Sequence, residues 1–542
     1  MSSRIKGIFL IIVGLANVCL AQLPQETQLN RIFGNAYYPN EPSIAISQID
    51  SNAIVAAANI NNMYNSTDQG KTWKERKIQS LYGIWGDPVL HSDQDGQFYF
   101  LHLSRTSGEG MHKKYRFIDR IVVQTSQDSG RSFNDGTFLG YNEGKMQDKP
   151  WISTDDGAAS RFYNNAYVTW TEFDQINSKK RKHKSRIRFS SSSNKGDKWS
   201  EAITISDETG DAVDDDHTLE GATTAVGDSG IIYCVWAGHY KLYFDKSTDG
   251  GRTWGKDRII ANQESGWAMN IDHVQRSNGM PFVVCDQSNG PFHGRIYVVF
   301  GDDKFGDADV FLMHSDDRGK TWSNPTRVNG DLVGNGKDQY LPNIALNQTS
   351  GELAILYYDR RLSPKNVFND VVVAISKNGG ENFVETRLNT LFYSHHGART
   401  FSGDYIDLDF VNGRIAATWT GFVQIPRVYA SCFNAANINN TELMYASNQF
   451  VSYTEYEGDQ ITEHFRTNQN ADITVFYQTK LRRKKYRKTI TSEHHIECVN
   501  GTELTESSIS FPYSRGMILK IEVRDKSGTR IYDVVKAKKG KK

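Results

Sequence analysis

The chain has 542 residues, zero formal net charge, 45 glycines and 12% aromatic residues. Balanced charge supplies no global field to recruit nucleic acid or an anionic membrane. The length admits one large repeat domain plus a smaller one, and the composition suits many short strands.

The first element is a leader. Arg4 and Lys6 precede an apolar run from Gly7 to Leu20, and Cys19-Leu-Ala21 offers a small-residue cleavage site. The run is short for a membrane span, and no later segment reaches spanning length. Residues 1–21 therefore read as a secretory signal, and the mature chain as secreted or periplasmic, with no transmembrane segment. The later cysteines, Cys234, Cys285, Cys432 and Cys498, make neither a disulfide framework nor metal-ligand spacing. Cys234 and Cys285 sit in apolar strands, as small core residues do.

From 22 to 440 two signals alternate. One opens an apolar strand, usually at a proline: Glu41-Pro42, Asp87-Pro88, Lys149-Pro150, Glu220-Gly221, Met280-Pro281, Leu341-Pro342 and Asp404-Tyr405. Proline is tolerated at a strand's first residue, where no ladder donor is needed. A second β-rich run follows each opening, as in Phe98-Tyr-Phe-Leu101 and Ile231-Ile-Tyr-Cys-Val-Trp236.

The other signal is an octapeptide, Ser-x-Asp/Asn-x-Gly-x-x-aromatic. It begins at Ser66, Ser126, Ser192, Ser247, Ser315 and Ser376 and closes at Trp73, Phe133, Trp199, Trp254, Trp322 and Phe383. Asp or Asn two residues before Gly is turn chemistry. The closing ring is large enough to pin the turn onto its own sheet.

Each unit reads strand, strand, strand, octapeptide turn, strand, which is one propeller blade. Seven openings with six octapeptides predict an all-β, seven-bladed β-propeller, with six blades as the alternative. The seventh unit lacks the octapeptide, and Thr27-Gln-Leu-Asn-Arg-Ile-Phe33 supplies its outer strand, closing the ring without a free edge. Residues 441–535 still alternate in β fashion and read as a small β-sandwich-like domain, and 536–542 as a basic tail.

The strand openings would line one mouth of the central channel. They place Glu41, Asp87, Asp148 with Lys149, Glu220, Asp338, and Asp404 with Tyr405 in a ring. Convergent carboxylates are what glycoside hydrolysis needs: one protonated acid donates to the leaving oxygen, and a second group attacks or activates water. The structural alternative is that they accept bonds from neighbouring blades or hold a structural cation. No cofactor is predicted. Asp214-Asp-Asp-His217 is a solvated loop or a cation site, with His217 on the substrate side. Arg360, in Tyr357-Tyr-Asp-Arg-Arg361, either grips a substrate carboxylate or ties blades together. The basic runs at 179–184 and 482–488 come with no nucleic-acid motif, so no nucleic-acid partner is expected.

The octapeptide resembles the Asp-box (BNR repeat) of sialidase-like β-propellers. The openings Glu41-Pro-Ser-Ile-Ala, Asp148-Lys-Pro-Trp and Gly403-Asp-Tyr-Ile resemble those of a bacterial subgroup labelled exo-α-sialidase-like. The resemblance implies a propeller. It also implies Tyr405 as the nucleophile, assisted by a ring carboxylate as base. Sialidases open their first blade with Phe/Tyr-Arg-Ile-Pro, whose Arg holds the substrate carboxylate; here Pro39-Asn40-Glu41-Pro42 stands instead.

These readings converge on a secreted glycoside hydrolase of sialidase-like type acting on a glycan at the channel mouth. Glu41, Asp87, Glu220, Asp404 and Tyr405 are its catalytic candidates, and Asp148, Lys149, Asp338, His217 and Arg360 its substrate-binding candidates. A non-catalytic glycan- or protein-binding propeller and a polysaccharide lyase are the alternatives.

Overall fold

The computed structural model describes residues 26–29, 39–105, 118–363, 365–389, 393–394, 401–423 and 425–438, together with the backbone of strands between 450 and 533. The predicted leader, 1–21, and the basic tail, 536–542, lie outside the described residues.

Seven antiparallel sheets follow one another along the chain, each running from an inner to an outer strand. The inner strands are Ser43–Ile46, Gly86–Ser92, Met146–Thr154, Leu219–Val226, Phe282–Cys285, Gln339–Leu346 and Asp407–Val411. Successive inner strands touch in order, and the seventh touches the first, so the sheets close into a seven-bladed propeller. The last blade is completed by Glu26–Gln28, whose Thr27 pairs with Ala430 of Ile425–Asn434. Joining the chain's first described strand to its last blade leaves no gap in the ring.

The octapeptides fold alike. Ser66 Oγ accepts the Gly70 N–H at 2.9 Å and donates to Asp68 Oδ1 at 2.8 Å. Asp68 in turn accepts the Thr72 N–H at 2.9 Å and its hydroxyl at 2.6 Å. Ser247-Asp249-Gly251-Thr253 and Ser315-Asp317-Gly319-Thr321 repeat the network.

The expectation that each closing ring pins its own sheet needs correction, because several pack on the blade before. Trp254 of blade four meets Phe189 of blade three edge to face at 5.0 Å, and Trp322 of blade five meets Phe244 of blade four at 5.2 Å. A Cβ on Gly251 would lie 2.1 Å from the Phe189 ring, so glycine is required for this approach as well as for its φ of +86°. The turns are therefore staples between blades.

The strand openings share a second device. Glu41, Asp87, Lys149 and Leu341, each directly before proline, have φ between 49° and 51°. Strand pairing slips at this point between Gly86 and Val89, Asp148 and Trp151, and Tyr340 and Asn343. A bulge re-aims side chains, and non-glycine residues in this region carry strain.

Below the openings, Trp151 meets Phe282 at 5.0 Å and Tyr405 at 6.1 Å, both edge to face. Trp151 and Phe282 border a channel cavity of about 200 Å³ lined by residues from all seven inner strands. Cys234 and Cys285 are buried free thiols and Cys432 a half-buried one. Beyond the propeller the backbone forms a three-stranded and a four-stranded antiparallel sheet, from Phe450–Glu457 to Gly528–Asp533. Among the described residues no helix is long and apolar enough to cross a membrane.

Candidate active site at the channel mouth

Strand openings from blades far apart in the chain meet through Asn59 and Asp404. Glu41 Oε1 accepts the Asp404 N–H at 3.2 Å, and its other oxygen accepts from Asn59 Nδ2. Asn59 Oδ1 then accepts the Asp87 N–H at 2.8 Å. Asp404 takes Lys149 Nζ at 2.7 Å and is gripped through both oxygens by Arg276, with Nε at 2.8 Å from Oδ1. Arg276 Nη1 reaches Asp214 Oδ2 at 2.8 Å, and its guanidinium lies 4.6 Å from the Phe401 ring centre. Lys149 Nζ also sits 3.5 Å from Asp87 Oδ2 and 3.4 Å from Asp148 Oδ1.

Six carboxyl groups thus share the mouth with two cations, Lys149 and Arg276. They cannot all ionise in a site this dry. Burial works to raise Asp404, but Lys149 and Arg276 hold it well below the usual carboxylate range. Burial, reinforced by Asp87 and Asp404, lifts Glu41 well above its ordinary value. Burial lifts Glu220 in the same way, with Asp214 and Asp148 as its strongest charged neighbours. Both Glu220 oxygens lack a hydrogen-bond partner among the described residues, and the side chain has no exposure.

Asp148 is pushed up to about 6, first by burial and then, against Lys149, by Asp87, to which it is hydrogen-bonded. The two aspartates are also the group's more open members, with 15% of the Asp148 side chain and 14% of that of Asp87 reaching solvent. The two carboxyls stand around one ammonium, that of Lys149.

The structure therefore brings together Glu41, Asp87, Asp148, Lys149, Glu220 and Asp404. Tyr405 lies just beneath them, but its hydroxyl donates to the Pro88 carbonyl at 3.0 Å and its ring packs on Trp151. Burial first, then Asp87 and Glu41, push its phenol well above the ordinary value. This placement corrects its reading as a presented nucleophile.

Asp338 and Arg360 also need correction. Arg360 is wholly buried and bonds to Asn369 Oδ1, Asp272 O and Asn366 O, with Asp338 Oδ2 at 3.6 Å. Arg360 thereby ties the connection 263–281, through Asp272, to blade six. Asp338 stands three residues before Leu341, the residue in the position that Glu41, Asp87 and Lys149 hold elsewhere. His217 stands on the exposed rim, packed against His239 and Tyr240 at 6.2 and 5.8 Å.

Sequence reasoning missed Arg276, Asn59 and Asn278, whose Nδ2 donates to the Asp404 carbonyl at 2.9 Å. Arg276 and Asn278 lie in the connection 263–281, which has no strand of its own, and connections of that length are commonly functional. Asp214, noticed as part of an acidic loop, turns out to pair with Arg276 and to accept from Trp267 Nε1 at 3.0 Å. No grouping of three or more His, Cys, Asp or Glu suited to a metal ion occurs among the described residues.

No family model matches the chain, and no curated protein matches it. Solved structures do. A Hadza microbial sialidase is 13% identical, with 71% of this chain and 74% of that one covered and a TM-score of 0.41. An α-L-arabinofuranosidase from Fusarium graminearum is 12% identical, with 77% and 99% covered and a TM-score of 0.41. An ulvan lyase, a polysaccharide lyase, is 11% identical, with 75% and 96% covered and a TM-score of 0.42. Likeness of this degree decides nothing about chemistry; the propeller rests on its strand pairings.

Proposed function

We propose that the chain is an exported, carbohydrate-active propeller that hydrolyses a glycosidic bond at the channel mouth, in the manner of a sialidase-like glycosidase. The observation that carries this reading is that Lys149 Nζ lies 3.4 Å from Asp148 Oδ1 and 3.5 Å from Asp87 Oδ2, which sets the two carboxyls side by side at the open edge of the group. Protonated Asp148 gives its proton to the glycosidic oxygen as the C–O bond breaks, and the Asp87 carboxylate bonds the anomeric carbon. Water, deprotonated by Asp148, then releases the sugar and regenerates Asp87. A retaining mechanism needs its two carboxyls about 5–5.5 Å apart, so Asp87 and Asp148 must part to admit the glycosidic bond between them.

Lys149 lies between the two, and Asp404, itself gripped by Arg276, holds it in place. Sialic acid is disfavoured as substrate. Asn40 stands where the sialidase pattern has its arginine, and its amide donates to the Phe401 carbonyl at 2.9 Å.

The test is reducing-sugar release from a panel of glycans, with wild type and Asp148→Asn. The reading requires turnover by the wild type and its loss in the variant. The full engagement of Lys149 and Arg276 by carboxylates also suits a non-catalytic binding propeller, which would show as binding without release. Unsaturated products absorbing in the ultraviolet would indicate a lyase instead.

A further inference from the structure

We propose that the sugar taken at this mouth carries a protonated amine. This rests on the glycan reading above and names its substrate class. Both cations of the site are already engaged: Lys149 by Asp404, Asp87 and Asp148, and Arg276 by Asp404 and Asp214. A carboxylate or sulfate on the ligand would have to displace one of these carboxyls, and it would face the others in a poorly hydrated site.

The unmet need at the mouth has the opposite sign. Glu220 is wholly buried, with neither oxygen bonded among the described residues, and its strongest charged neighbours are Asp214 and Asp148. Buried polar atoms without partners are rare enough to require a reason. An ammonium has three donors in a compact head and no acceptor. Set among Asp148, Asp214 and Glu220, it gives Glu220 the partner it lacks and lets that carboxyl ionise, releasing its proton to solvent. N-acetylation of the amine removes both the charge and two of the three donors.

The full-length protein is titrated calorimetrically near neutral pH with glucosamine, N-acetylglucosamine and glucuronic acid. Glucosamine should bind at least about tenfold more tightly than N-acetylglucosamine, glucuronic acid should not bind, and proton release should accompany glucosamine alone. Glu220→Gln, a near-isostere of the protonated acid, should erase the preference. Asp214→Asn should reduce it if the first variant does not fold. Glucuronic acid binding as tightly as glucosamine, or a preference unchanged in both variants, overturns the inference. Cleavage of neutral glycans without any amine preference also overturns it while leaving the glycosidase reading standing. Amine-selective binding without cleavage of chitosan oligomers supports it and removes the hydrolase reading.

Discussion

Lys149 Nζ lies 2.7 Å from Asp404 Oδ2, so one ammonium ties the third blade to the seventh across the channel mouth. Only 4% of the Lys149 side chain is exposed. Breaking a buried pair by removing one partner leaves the other charge uncompensated. Lys149→Met should therefore destabilise the protein by about 3–5 kcal/mol in urea unfolding. A loss under about 1 kcal/mol would mean that the pair is as weak as a surface ion pair.

On the glycosidase reading, Asp148 sets the pH range of activity. As the acid it must be protonated, so turnover should fall as pH rises through about 6. Asp148→Asn should lower turnover by about 10²–10⁴-fold and remove that limb. A pH–rate profile with the same alkaline limb in the variant would reassign the acid.

Stability should respond to pH from both sides. Asp148, raised from 3.8 to about 6, contributes stability that is complete below its ordinary value and is lost as pH rises through about 6. Asp68 and Asp249 behave oppositely. Hydrogen bonds from Thr72 lower Asp68 to about 2. Burial works to raise Asp249, but bonds from Thr253 and Ser247 bring it to about 2. Their contribution is complete above 3.8 and is lost as pH falls through about 2. Melting temperature should drop on acidification in that lower window, and Asp68→Asn with Asp249→Asn should flatten the drop.

The staple role of the octapeptides can be separated from backbone strain. Gly251→Ala drives a Cβ into the Phe189 ring at 2.1 Å, whereas Gly306, with φ of +96°, has nothing within 4 Å. Gly306→Ala should cost only the backbone penalty of about 1 kcal/mol. Gly251→Ala adds overpacking of about 1–3 kcal/mol. Equal losses in thermal unfolding would show that the inter-blade contact contributes nothing.

The fold was legible because its signals are local. Ser66 to Trp73 and its five relatives close their own hydrogen bonds, and each proline opening marks an inner strand. Even the joining of Thr27 to the seventh blade followed from counting one octapeptide too few. The site was half legible. Glu41, Asp87 and Lys149 were found because the residue before proline is the one that the bulge re-aims. Asp338 failed the same test by three residues, since Leu341 holds that position in blade six. Tyr405 was misread because chain position does not reveal which way a ring turns; here its hydroxyl faces Pro88. Arg276 was invisible because its connection has no periodicity, and its partners, Asp404 and Asp214, are remote in sequence.

The most direct test of the mouth as a two-aspartate active site is to assay glycan cleavage by wild type, Asp148→Asn and Tyr405→Phe side by side. Tyr405→Phe removes one hydrogen bond to Pro88, costing about 1 kcal/mol of stability, and should keep turnover near wild type. Asp148→Asn should lower it by about 10²–10⁴-fold. Cleavage near the wild-type rate in Asp148→Asn, or lost cleavage in a folded Tyr405→Phe, would contradict the account.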